Sequence, residues 1–102
     1  MAKKSKPFDA SEFLETDDDI AFYIREAIAT DDIDAIVRAI GVVAKTRGMS
    51  QIAKETGLSR ESLYKALSGD GHPQFDTILL VLKALGLRLS VEPDEDGGVQ
   101  AA

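Results

Sequence analysis

Apolar residues recur along most of this chain with a helical period. Ile20, Tyr23, Ile24, Ala27 and Ile28 mark one face of a first helix, which Thr16 or Asp17 is placed to cap. Asp17, Asp18 and Asp19 fall in its first turn, where carboxylates meet the positive end of the helix dipole. Residues 30–32, Thr-Asp-Asp, break the chain and cap it again. A second helix is predicted from about Ile33 to Lys45, with Ile33, Ile36, Val37, Ile40, Val43 and Ala44 inward. Lys45 and Arg47 in its last turn and Gly48 beyond form a helix stop.

Residues 48–68 then read as two short helices around a tight turn. Ile52, Ala53 and Thr56 form the inner edge of the first. Gly57 supplies the turn, because a residue without a Cβ accepts a positive φ. Ser59 caps the second helix, whose inner side is Leu63, Ala66 and Leu67. This is the helix-turn-helix pattern, in which the second helix enters the DNA major groove. Its outer face carries Ser59, Arg60, Glu61, Tyr64, Lys65 and Ser68, all able to bond phosphates or base edges.

Residues 69–73 form a polar loop, and a further helix is predicted from Phe75 or Asp76 to Leu85, ending at Gly86. Its run Ile78-Leu79-Leu80-Val81-Leu82 is apolar nearly all round, so it calls for burial on more than one side. Leu87, Leu89 and Val91 alternate with Arg88 and Ser90, the period of a half-buried strand. A single strand does not persist alone, so pairing with its copy in a second subunit is expected. Leu80, Val81, Leu85, Leu87, Leu89 and Val91 are the residues expected at that dimer interface.

Composition narrows the class. The 102 residues suffice for one domain, and 44% hydrophobic with 29% charged residues is the balance of a soluble globular protein. Residues 1–7 and the acidic tail 93–102 are expected to be disordered, with the domain between them at 8–92. The absence of cysteine excludes a disulfide framework and a cysteine-based zinc site. No apolar run approaches the ~20 residues of a membrane span. Lys3, Lys4 and Lys6 are followed by Pro7, Phe8 and Asp9 rather than by a signal-peptide core, so a cytoplasmic protein without membrane contact is expected. No P-loop, dinucleotide loop, His-Glu-x-x-His motif or cysteine nucleophile is present, and neither catalysis nor a cofactor or metal is expected. His72 reads as a loop residue, and Asp17 to Asp19 as helix-capping groups rather than metal ligands.

A net charge of −6 opposes DNA binding until it is divided along the chain. Residues 1–34 carry −6 and residues 92–102 carry −4, whereas residues 35–91 carry +4 from Arg38, Lys45, Arg47, Lys54, Arg60, Lys65, Lys83 and Arg88 against four acids. The middle can attract phosphate while the ends repel it.

The run Gly48-Met-Ser-Gln-Ile-Ala-Lys-Glu-Thr-Gly-Leu-Ser-Arg-Glu-Ser-Leu-Tyr-Lys-Ala-Leu-Ser68, with Pro73-Gln-Phe-Asp-Thr-Ile and Leu82-Lys-Ala-Leu-Gly-Leu87 after it, resembles the probable addiction-module antidote proteins. These are XRE-type helix-turn-helix antitoxins related to the HigA group. The opening Phe8-Asp-Ala-Ser-Glu-Phe-Leu and the Ile20-Ala-Phe-Tyr-Ile segment fit as well, so the resemblance spans about residues 8–92. It implies an all-α, five-helix, XRE/lambda-repressor-like domain, a homodimer with the short C-terminal β-strand at its interface. It implies further that the protein neutralises a RelE-like toxin, a basic ribonuclease, and represses its own operon.

On that reading Gln51, Ser59 and Ser68 hold phosphates of a palindromic double-stranded DNA operator, while Arg60, Glu61, Tyr64 and Lys65 face base edges. Asp9, Glu12, Glu15, Asp17, Asp18 and Asp19 are the acidic surface expected to meet the toxin. Two alternatives stand beside it: a free-standing XRE-type repressor without a toxin, which the same DNA-facing residues would serve, and a protein-interaction module that has lost DNA binding.

Overall fold

A computed structural model of the chain describes residues 14–95. The expectations for Phe8, Asp9, Glu12, Phe13 and the last residues of the acidic tail lie outside the described residues. Five helices follow one another: α1 (Asp17–Ile28), α2 (Ile33–Arg47), α3 (Met49–Thr56), α4 (Arg60–Ala66) and α5 (Phe75–Ala84).

Each boundary has a local cause. At the start of α1 the Thr16 hydroxyl accepts the Asp19 N–H at 3.0 Å, while the Asp19 carboxylate accepts the Thr16 and Glu15 N–H groups, both at 3.1 Å. This is a capping box with Asp in place of the usual Glu or Gln. Those hydrogen bonds, from the Thr16 amide first and the Glu15 amide second, hold the Asp19 carboxyl below the usual carboxylate range. Asp32 caps α2 by accepting the Ala35 N–H at 3.2 Å. Gly48 ends α2, its N–H donating to the Ala44 carbonyl at 2.9 Å, and at once begins α3. Gly57 ends α3 in the left-handed region at φ 80°, a conformation that disfavours any residue with a Cβ. Ser59 then caps α4 by accepting the Ser62 N–H at 3.0 Å.

α3 is the hub, packing against α2, α4 and α5, while α1 lies along α2. Ile52 of α3, Leu63 of α4, Val43 of α2, Val81 of α5 and Leu85 just beyond α5 are the largest fully buried side chains, with Ile20 and Ile24 joining from α1. α4 has only seven residues, too few for a helix that stands on its own propensity. It is held by burial of Leu63 and Leu67, each side chain worth about 1.5–3 kcal/mol when removed from water. Gly41, in the middle of α2, lets the end of α4 approach closely: a Cβ there would lie 2.7 Å from the Leu67 carbonyl oxygen.

Two expectations are corrected. Ile28 and Ile33, expected inward, are 44% and 59% exposed. Their periodicity is right, but Ile28 closes α1 and Ile33 opens α2, so both lie at the turn end of the hairpin. Val81 and Leu85, expected at a subunit interface, are fully buried in the chain's own core. In the single chain helix α5 buries Val81 and Leu82 on one side and leaves Phe75 66% and Leu80 42% exposed. Residues 87–91 take no regular secondary structure in the single chain; Leu87 packs against the core, whereas Leu89 and Val91 face solvent.

Candidate nucleic-acid interface

Helix α4 has two sides set by its spacing. Leu63 and Leu67 fix the inner side, and Arg60, Glu61, Tyr64, Lys65 and Ser68 follow at i, i+1, i+4, i+5 and i+8 on the outer one. All five are exposed, as are Ser59 and Gln51. The four residues expected to read base edges therefore share one solvent-facing surface on a helix anchored from behind.

The geometry refines their chemistry. The Arg60 guanidinium carbon lies 5.9 Å from the centroid of the Tyr64 ring, and the Lys45 ammonium lies 5.9 Å from the same centroid. Arg60 is thus steadied by an aromatic face rather than by the neighbouring Glu61. Among the described residues Glu61 makes no ion pair, so its carboxylate remains an acceptor toward solvent.

The three residues expected to hold phosphates each have a local bond already. Ser59 accepts from the Ser62 N–H and donates its proton to the Ser62 hydroxyl at 2.9 Å. Ser68 donates to the Lys65 carbonyl at 3.1 Å and accepts from the Asp70 N–H at 3.2 Å. Gln51 donates from Nε2 to the Glu55 carboxylate at 2.6 Å, one turn along α3. A hydroxyl has one proton to give, and the Ser59–Ser62 hydroxyl pair uses one, so one of its two protons is left for a phosphate on this face. Ser62 and Lys45 were both missed by spacing alone. Nothing in the spacing marks Ser62, and Lys45 reads only as a cation that suits the end of a helix.

The acidic surface is partly absorbed by structure. Asp19 is engaged by its capping box, and Asp17 accepts from Arg47 Nη2 at 3.2 Å. Glu15 and Asp18 are exposed.

A family model described as "Probable addiction module antidote protein" matches residues 4–93. The chain belongs to that family. A protein of Haemophilus influenzae strain Rd, described as uncharacterized, is 46% identical over 92 residues, which cover 90% of this chain and 95% of its own. No solved structure matches. An antidote of an addiction module has a toxin as its counterpart, so family membership supports an antitoxin role and implies a toxin partner. No helix among the described residues is long and apolar enough to cross a membrane.

Proposed function

We propose that this antidote-family protein is a DNA-binding antitoxin of a type II module, an XRE-type helix-turn-helix protein that neutralises a RelE-like ribonuclease and represses its own operon from the cytoplasm. The observation that carries the DNA half is the outward presentation of Arg60, Glu61, Tyr64 and Lys65 on a helix whose opposite side is buried. Arg60 takes guanine O6 and N7, Glu61 accepts from cytosine N4, and Tyr64 makes apolar contact with a thymine methyl. Ser62, with Gln51, Ser59 and Ser68 after rearrangement of their local bonds, meets the flanking phosphates.

Two copies read a palindrome, their α4 helices spaced about 34 Å apart. The exposed Leu80, Leu89 and Val91, with half-buried Leu87, are the apolar surface available for that pairing, and residues 87–91 become a strand when a second copy supplies the partner. For the toxin, exposed Glu15 and Asp18 lead the acidic surface that attracts a basic protein.

The test uses the full chain and the DNA upstream of its own gene. Arg60→Ala is expected to cost about 1–3 kcal/mol of specific binding and to relax preference at one base position. Equal loss on specific and random DNA would remove Arg60 from base readout. Co-expression with the product of the adjacent gene tests the other half: a stable complex and restored growth are expected, and an adjacent product that is neither bound nor countered refutes the antitoxin assignment.

A further inference from the structure

Lys45 closes α2, outside both helices of the helix-turn-helix, yet its ammonium lies 5.9 Å from the Tyr64 ring centroid. Arg60 approaches the same ring at the same distance, so the two charges lie no more than about 12 Å apart, twice 5.9 Å. Among the described residues neither pairs with a carboxylate, whereas Arg47, two positions after Lys45, is taken by Asp17. An aromatic face holds an ammonium in place without neutralising it. Two cations with no carboxylate partner among the described residues therefore flank one exposed ring.

We propose that Lys45 belongs to the DNA-contacting surface and takes a backbone phosphate beside the groove, with Tyr64 as the platform that positions it. This rests on the DNA-binding reading above. Phosphate rather than a base is the partner because Lys is a point charge without the planar fork that reads a base edge. A residue flanking the inserted helix also meets the backbone before it meets the bases. Tyr64 thereby joins a direct contact of α4 to a cation from α2, so the surface extends beyond the motif itself. The competing role for Lys45 is structural: a cation in the last turn of α2 complements the helix dipole with no DNA involved.

Fluorescence anisotropy of the full chain on the DNA upstream of its gene, and on a random duplex, separates the two roles. Lys45→Gln is expected to weaken both DNAs by the same factor and to lower the slope of log affinity against log salt by about 0.9. Raising salt from about 50 to about 200 mM should therefore cost the native protein about threefold more affinity than it costs Lys45→Gln. Lys45→Arg should restore the slope, and Tyr64→Leu should weaken binding more than Tyr64→Phe, which keeps the ring. Native protein that binds with Lys45→Gln unchanged in affinity and slope overturns this proposal alone. A native protein with no salt-dependent binding to either duplex overturns the DNA-binding reading and this proposal with it.

Discussion

Gly41→Ala sets two physical effects of opposite sign against each other. In an unencumbered helix interior the change stabilises by about 0.8–1 kcal/mol, because Gly pays more backbone entropy than Ala. Here the added Cβ would lie 2.7 Å from the Leu67 carbonyl oxygen and 3.3 Å from the Leu67 Cβ. The neighbour cannot swing aside: Leu67 is buried, caps α4, and its own N–H is bonded to the Leu63 carbonyl at 2.9 Å. Inserting a methyl into such a contact costs typically about 1–3 kcal/mol, so the net expectation is a loss of about 1 kcal/mol where propensity alone predicts a gain. Urea unfolding followed by circular dichroism reads this as a lower midpoint at unchanged m, and thermal unfolding as a fall of about 4–8 °C per kcal/mol. Gly71→Ala is the control, because a Cβ there meets nothing within 4 Å and its φ is not positive. Gly57→Ala is the complementary case: space is open but φ is 80°, so the loss is strain of about 1–2 kcal/mol, and Asn should recover part of it. A Gly41→Ala protein as stable as the native one, with Gly71→Ala neutral, would refute the close docking of α4 on α2.

Asp19 carries a pH signature. Its folded carboxyl is held below the ordinary value by the Thr16 and Glu15 amides, so its contribution is present above the unfolded carboxylate range near about pH 4 and is lost as pH falls through the lowered value. Asp19→Asn should therefore be less stable than native at neutral pH, with the gap closing in acid; a gap independent of pH in thermal melts would contradict the capping role. The Arg47–Asp17 pair is 36% and 76% exposed, so a double-mutant cycle should return no more than about 0.5 kcal/mol, falling with salt. If the chain pairs as proposed, Leu89→Asp leaves the subunit folded and shifts the proposed dimer to monomer in sedimentation, and a dimer that persists would exclude this surface.

The helix boundaries were legible because their causes are local. Thr16, Asp32, Gly48, Gly57 and Ser59 each act within four residues of their own position, and spacing along one chain reveals that. Burial at helix ends was not legible: the period of Ile28 and Ile33 assigns them a face but says nothing of where the neighbouring helices stop. The apolar run of α5 gave the same difficulty in another form. A helix apolar all round does not declare which side is the subunit core, and Val81 and Leu85 went to the core while Leu80 stayed outside. In the candidate site the face of α4 followed from its period, but the Lys45–Tyr64 approach joins residues on different helices. The sharing of one proton between Ser59 and Ser62 depends on rotamers, which spacing does not encode.

The charge of the chain becomes intelligible only at the scale of screening. A protein of −6 should avoid a polyanion if every charge counted equally. At physiological salt, however, exposed charges more than about 8 Å apart scarcely feel each other. The exposed side of α4 carries Arg60 and Lys65, with Lys45 beside Tyr64, against the carboxylates of Glu61 on α4 itself and of Glu55, which holds Gln51, on α3. At the acidic start of α1, Asp17 is paired with Arg47 of α2 at 3.2 Å. The Arg47–Asp17 pair offsets one negative charge of α1. The exposed acids of α1 and the cations around α4 each act over about one screening length, so the proposed toxin and DNA surfaces are compatible on one chain.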